Sequence, residues 1–533
     1  MIRYTTCAMR YAIFALLCFF LSQQTRGQQN DSVRLTVPVA DGEYWWIGII
    51  NHGAMMPLTH GYEANLHANL YGNQAQPLLL SSNGNLVWSE TAFSIMRDSN
   101  AIVLTKASGN FVRKKSGNSL KEAYQYASAN FFPPSGAVPD TMLFTNPQYN
   151  TWIELLYDQN QADVLKYAKA IIDNGFPPGV IMIDDNWQED YGTWKFHPGK
   201  FSDPSAMMDT LHQWGFKVML WVCPFVSPDS ETFRKLQAGD LLLREQDGYP
   251  KMVKWWNGSS ALLDFTDTAA VNWFNGELQY LQEKYKVDGF KFDAGDAEYY
   301  VDVIADKNIQ PNEHAELFAK IGLSYPLNEY RATWKMGGQP LAQRLRDKGH
   351  TWEDLQLLIP NLLLQGIMGY PFTCPDMIGG GEMGSFTNLK NINQDLIVRS
   401  AQCHALMPMM QFSVAPWRIL DKPHFDAIKK AVVTRSKYTA LINELASRAA
   451  VTGEPIVRMM EYEFPHQNFE KVTDQFMLGD KILVAPVISA GNSRNVILPK
   501  GRWMDVIHGK TISGPRTIQI NAALDELPIF IRR

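Results

Sequence analysis

The stretch Val287-Asp-Gly-Phe-Lys-Phe-Asp-Ala-Gly-Asp296 decides how this chain is read. Its apolar positions predict a short buried strand that ends at the carboxylate Asp293 and breaks at once into a glycine turn. In a barrel of parallel strands the chemistry sits at the C-terminal strand ends. A glycosidase needs its nucleophilic carboxylate at such a place.

Moving outward, residues 137–447 alternate apolar strands with helices, which predicts an α/β fold built as a (β/α)8 TIM barrel. Gly179-Val-Ile-Met-Ile183 is a strand that ends in Asp184-Asp185. Asp203 caps a helix that starts at Pro204 and stops at Gly215. Lys217-Val-Met-Leu-Trp-Val222 is the next strand and carries Trp221 close to its end. Thr266 or Asp267 caps the helix leading to the opening strand, and Thr351-Trp-Glu-Asp354 resembles a capping box. Gly369-Tyr-Pro-Phe-Thr373 is a further strand and ends near Asp376. Because barrel strand ends share one face, acids this far apart in sequence converge.

Two all-β regions flank the barrel, each expected to be a β-sandwich. In residues 28–136, Ser32-Val-Arg-Leu-Thr-Val37 alternates, turn signals separate short strands, a helix starts at Leu120, and Pro133-Pro-Ser-Gly136 marks the boundary. In residues 448–533 the helical pattern gives way to β-like runs with glycine-rich turns. Residues 1–27 resemble a secretory signal peptide: Arg3 and Arg10, a short apolar run from Tyr11 to Leu21, then a polar stretch to Gly27. Export, secreted or periplasmic, is therefore expected. No other run is apolar enough to span a membrane.

With 533 residues, 46% of them hydrophobic, the chain has room for several domains and a large core. A net charge of −5 gives no reason to expect nucleic acid as a partner. Of five cysteines, Cys7 and Cys18 fall in the leader, and the three that remain are too few and too scattered for a disulfide framework or a zinc site. The strands carry no obvious three-acid metal set, so neither metal nor cofactor is expected. Fifteen tryptophans are many, and those in loops suit stacking on sugar rings.

Retaining hydrolysis needs a second carboxyl, one that protonates the leaving oxygen and then activates water, and it must come from another loop. Here the residues resemble glycoside hydrolase family 31. The resemblance rests on Ser119-Leu-Lys-Glu-Ala123 through Gly136 and on Gly453-Glu-Pro-Ile-Val-Arg458, Gln475-Phe-Met-Leu-Gly-Asp480, Leu483-Val-Ala-Pro-Val487 and Leu498-Pro-Lys-Gly-Arg-Trp503, in the family's order. It implies that Asp293 is the nucleophile and that Asp347, just ahead of Thr351-Trp352, is the acid/base. It also implies that Arg331, sixteen positions before Asp347, holds the sugar or orients the acid. Asp376 before Gly379-Gly380 and Trp256 in Trp256-Asn-Gly258 complete the substrate-binding set that the resemblance implies.

Two departures bear on the sugar. Where the family's glucosidases carry an Asp-aliphatic-Asp-Tyr segment, this chain has Asp184-Asp185-Asn186-Trp187-Gln188. That segment resembles the Asp-Asp-x-Trp motif of α-galactosidases, whose paired acids bind the axial O4 and O6 of galactose, and Asn150-Thr-Trp152 resembles those enzymes as well. Where the glucosidases have a sugar-binding histidine, Pro408-Met-Met-Gln-Phe-Ser413 offers Gln411 or Ser413. Lys291 stands next to the nucleophile strand end, where a cation keeps Asp293 ionised. The expectation is a retaining, exo-acting α-galactosidase with Asp184, Asp185, Trp187, Trp221, Trp256, Lys291, Arg331 and Asp376 on the substrate. An α-glucosidase, α-xylosidase or sulfoquinovosidase is the alternative within the same chemistry, and a catalytically inactive glycan-binding protein the alternative outside it.

Overall fold

A computed structural model describes residues 32–387, 390 and 392–533, so the expected leader peptide lies outside the described residues. Eight parallel strands form the central barrel: β1 (Gln148–Asn150), β2 (Val180–Ile183), β3 (Lys217–Val222), β4 (Gly289–Phe292), β5 (Leu327–Tyr330), β6 (Gln343–Arg344), β7 (Thr373–Cys374) and β8 (Gln411–Phe412). Neighbours pair in that order, and β8 pairs back onto β1 through Gln411–Gln148. Among the described residues, the Met377–Gln411 bridge completes the ring between β7, two residues long, and β8.

The expected caps form. Asp203 accepts from the Ala206 amide at 3.0 Å, Asp267 from Ala269 at 2.8 Å, and Thr351 Oγ1 from Asp354 at 3.1 Å. These bonds satisfy amides that the first helical turn leaves unpaired. Between β5 and β6 the expected helix is missing. The strand Thr333–Trp334 stands there instead and pairs with Gln74 and Ala75 of the N-terminal region. The long helix Lys422–Thr452 runs through the boundary expected at 447–448 and stops at Gly453, whose φ of +73° suits an αL helix end.

The N-terminal region contains a four-stranded antiparallel sheet and a second sheet centred on Gln74–Ser81. Polar side chains of that second sheet finish the barrel. Gln74 Nε2 donates to the carbonyls of Arg331 (2.6 Å) and Arg344 (2.8 Å), and Asn73 Nδ2 donates to that of Arg344 (3.2 Å). Buried carbonyls at the ends of β5 and β6 are thereby paired. The C-terminal region is all-β but forms one six-stranded antiparallel sheet rather than two, with a register shift at Leu498–Gly501 in its long hairpin. Among the described residues no helix is long and apolar enough to cross a membrane.

Candidate active site

The C-terminal barrel face opens into a cavity of about 560 Å³, within the usual range for small-molecule sites. Of the ten residues expected to be catalytic or substrate-binding, all but Trp187 and Asp376 line it. Asp293 follows β4 directly. Its Oδ1 accepts from the Ala294 amide (2.8 Å) and from Arg331 Nε (2.9 Å), and its Oδ2 from Trp221 Nε1 (3.2 Å). Burial pushes this carboxyl up, but the Arg331, Lys291 and Arg344 cations outweigh burial and hold it well below the ordinary range. Asp293 is thus an ionised carboxylate fixed from three sides. Ala294 has φ +60°, and Asn186 and Asp376 at other strand ends have φ +73° and +78°. Such left-handed backbone at non-glycine residues is costly and clusters at functional sites.

Arg331 does more than touch Asp293. Its Nη1 and Nη2 hold Asp296 at 2.9 and 2.5 Å, and Nη1 also donates to the Gly72 carbonyl at 2.8 Å. The N-terminal region thereby forms part of the cavity wall, with Asn69, Tyr71 and Gly72 facing in. Trp256, 49% exposed, covers Arg331 with its ring 5.7 Å from the guanidinium carbon.

The acid pair after β2 is wired differently at its two members. Asp184 Oδ2 accepts from Lys291 Nζ at 2.6 Å in a fully buried ion pair. Asp185 accepts from Asn257 (2.6 Å), Tyr191 (3.2 Å) and Gln188 (3.3 Å). Burial first, then the neighbouring Asp184 charge, pushes Asp185 up to about 7. Asn257 also bonds the Tyr157 and Tyr191 hydroxyls, at 2.7 and 2.8 Å, so it joins the hairpin that carries Trp256 to the Asp185 loop.

Asp347 lies on irregular backbone after β6, with its side chain 36% exposed. Arg344 Nη1 bonds its carboxylate and also reaches Asp376 at 3.0 Å, while Arg344 Nε is 3.3 Å from Glu329. One buried guanidinium is therefore shared among three carboxyls. Burial and the Asp347 charge push Asp376 up to about 7. At Gly381 a Cβ would stand 2.9 Å from Asp376 Oδ1 and 3.3 Å from Asp347 Oδ1, so glycine lets this loop pack against the acids.

Four expectations need correction. Trp187 is not at the cavity: it is fully buried, and its indole donates to the Trp221 carbonyl at 2.8 Å, propping the strand that carries the pocket tryptophan. Asp376 is also fully buried and off the cavity lining, and its carboxylate meets Arg344 (3.0 Å) and the Lys348 amide (2.8 Å). Gln411 bonds Gln148 (2.7 Å) and Glu329 (2.8 Å) inside the barrel, and Ser413 accepts from the Ile153 amide (2.7 Å), so neither replaces the missing histidine. The residues that went unread in the sequence are Asn257, Asp296 and Arg344. Asp296 closes the opening stretch itself and was open to the same strand-end argument, whereas nothing local marks Arg344 as the centre of a three-acid cluster.

Residues 141–442 match the model of the glycosyl hydrolases family 31 TIM-barrel domain, and residues 453–533 match that of the glycosyl hydrolase family 31 C-terminal domain. The chain belongs to glycoside hydrolase family 31. Among similar proteins, the myogenesis-regulating glycosidase of Mus musculus is 34% identical over 73% of this chain and 56% of its own length. Alpha-glucosidase 2 of Bacillus thermoamyloliquefaciens is 26% identical over 70% of this chain and 51% of its own. The chain thus spans about half the length of the curated relatives it matches. The same fold recurs in a family 31 dextranase of Flavobacterium johnsoniae complexed with glucose. Its TM-score is 0.83 at 19% identity, with 94% of this chain and 66% of that one covered. A family 31 alpha-xylosidase from a soil metagenome gives 0.81 at 21%, covering 94% and 79%.

Proposed function

We propose that this protein is a retaining, exo-acting α-glycosidase that removes terminal α-linked galactose by double displacement. The observation that carries the chemistry is one cavity lined by two carboxyls of opposite character. Asp293 is desolvated, ionised and rigidly held, as a nucleophile must be. Asp347 reaches the same cavity from another loop and is open to solvent. In this reading Asp293 attacks the anomeric carbon while Asp347 protonates the departing oxygen. Asp347 then takes a proton from water as that water releases the sugar from Asp293. The burial of Asp184, Lys291 and Trp221 at the cavity wall favours a chain end over a chain interior.

Support for galactose comes from the adjacent acids Asp184 and Asp185, since two neighbouring carboxylates can accept hydrogen bonds from vicinal sugar hydroxyls. A second reading, an α-glucosidase or α-xylosidase, is favoured by the relatives named alpha-glucosidase 2 and alpha-xylosidase XylQ, the latter 26% identical over 72% of this chain. The apolar N-terminal run supports export. A panel of aryl α-glycosides tests the choice of sugar. The galactoside should be turned over fastest, and a glucoside or xyloside rate well above it would reject galactose.

A further inference from the structure

The glycine-rich loop after β7 meets the segment carrying Asp347 as backbone. The Glu382 amide donates to the Lys348 carbonyl at 3.0 Å, and a Cβ at Gly380 would stand 2.6 Å from that same carbonyl oxygen. Between them, Gly381 lies against the Asp347 and Asp376 carboxylates, and its own carbonyl accepts from Trp152 Nε1 at 3.1 Å. Any shift of this loop changes the space left for the Asp347 carboxylate.

His350, three residues after Asp347, ties the loop down at four points. Its amide donates to Ser385 Oγ at 3.1 Å, and its ring packs on Phe386 with centroids 5.0 Å apart. Its Nδ1 is 2.9 Å from the Gly379 carbonyl oxygen, and its Nε2 is 3.0 Å from the Asn393 amide nitrogen. A carbonyl only accepts and an amide N–H only donates. Nδ1 must therefore carry the proton and Nε2 must be bare, which is a neutral imidazole in one tautomer. Burial favours that form by lowering the pKa of His350 below the ordinary histidine value. The residue is itself fixed at the start of the helix Trp352–Ile367, where the Gly349 amide donates to Asp354 and Thr351 caps the first turn.

We infer that His350 is a positioning residue for the acid/base: it clamps the 379–386 loop and so fixes that loop's backbone against the Asp347 carboxylate. This rests on the reading of Asp347 as the acid/base. An acid displaced by about 1 Å from the leaving oxygen loses much of its effect. The defect should be largest where the leaving group needs a proton and fade where it does not.

Two measurements test it. The first is kcat/KM for a series of aryl α-glycosides of rising phenol pKa, built on whichever sugar the protein turns over fastest. His350→Ala should lie about twofold below wild type for the most acidic phenol and about tenfold below for the least, so that the plot against leaving-group pKa steepens. His350→Gln, whose amide offers one donor and one acceptor, should restore most of the wild-type slope. An equal loss at every leaving group, or none, would overturn the positioning role. If Asp347→Ala also fails to steepen the plot, the reading of Asp347 falls and the positioning role with it. The second measurement needs no turnover. Hydrogen exchange read by mass spectrometry should be faster in His350→Ala for peptides spanning residues 376–387, while β2 and β3 keep their wild-type protection. Unchanged exchange in the loop would overturn the clamp, whatever the rates show.

Discussion

Asp293 and Asp347 share a cavity but not an environment. Asp293 ends a regular strand, is nearly buried, and is held by Trp221, Arg331 and its own following amide. Asp347 lies on irregular backbone beyond a two-residue strand, is partly solvated, and depends on one shared guanidinium. The contrast matches two jobs. A nucleophile must stay ionised and fixed, whereas an acid/base must exchange protons with solvent and accommodate different leaving groups.

Substitutions can break or sharpen that contrast. Asp293→Ala should cost the most, with kcat for an aryl α-galactoside falling by about 10⁴-fold or more. Near-normal turnover by that variant would remove Asp293 from the chemistry. Asp347→Ala should cost about 10²- to 10⁴-fold for a disaccharide and distinctly less for an aryl glycoside, whose leaving group needs little protonation. Equal losses on both substrates would show that Asp347 is not the acid.

The acid pair offers a subtler test. Asp185 titrates at about 7, above the ordinary carboxylate range, so it gains its charge as pH rises through neutrality. If that charge accepts hydrogen bonds from the sugar, galactose should bind more tightly as pH climbs from about 6 to 8. Asp185→Asn should flatten this rise, and a slope unchanged in the variant would assign it to another group. The sign for stability is opposite. A carboxyl with a raised folded pKa favours the native state in its protonated form, so its contribution grows as pH falls from about 7 toward about 4. The same substitution should remove that gain in thermal unfolding measured across the window.

The smallest expected effect concerns a residue outside the cavity. Trp187→Phe removes one buried hydrogen bond and a little volume, a loss of about 1–2 kcal/mol in stability. Because the Trp187 indole bonds the Trp221 carbonyl and packs on Trp194 and Phe196 instead of lining the cavity, KM should stay within about twofold. A large rise in KM without a loss of stability would return Trp187 to the sugar.

The contrast also explains what the sequence disclosed. Asp293 was legible because apolar alternation followed by a glycine turn is a local pattern, and β2 and β3 were legible for the same reason. Asp347 had no local signal: it stands in a run of charges, Arg344-Leu-Arg-Asp-Lys348, and only the family resemblance picked it out. Arg344 went unread because its partners Glu329 and Asp376 come from other strands and meet it only in the closed barrel. Trp187 was misplaced because a motif fixes residue order but not which way a side chain turns. The left-handed Asn186 beside it redirects the chain there. The missing helix after β5 was invisible because the short strand in its place, Thr333–Trp334, pairs with Gln74 and Ala75, which are distant in sequence.

Trapping the glycosyl intermediate tests the assignment of Asp293 most directly. A fluorinated galactosyl donor that forms the covalent species quickly and releases it slowly should inactivate the protein. Peptide mapping by mass spectrometry should then find one sugar on the peptide bearing Asp293, and the first sugar released on recovery should be the α-anomer. A label on another residue, or turnover that yields the β-anomer with no adduct, would contradict it.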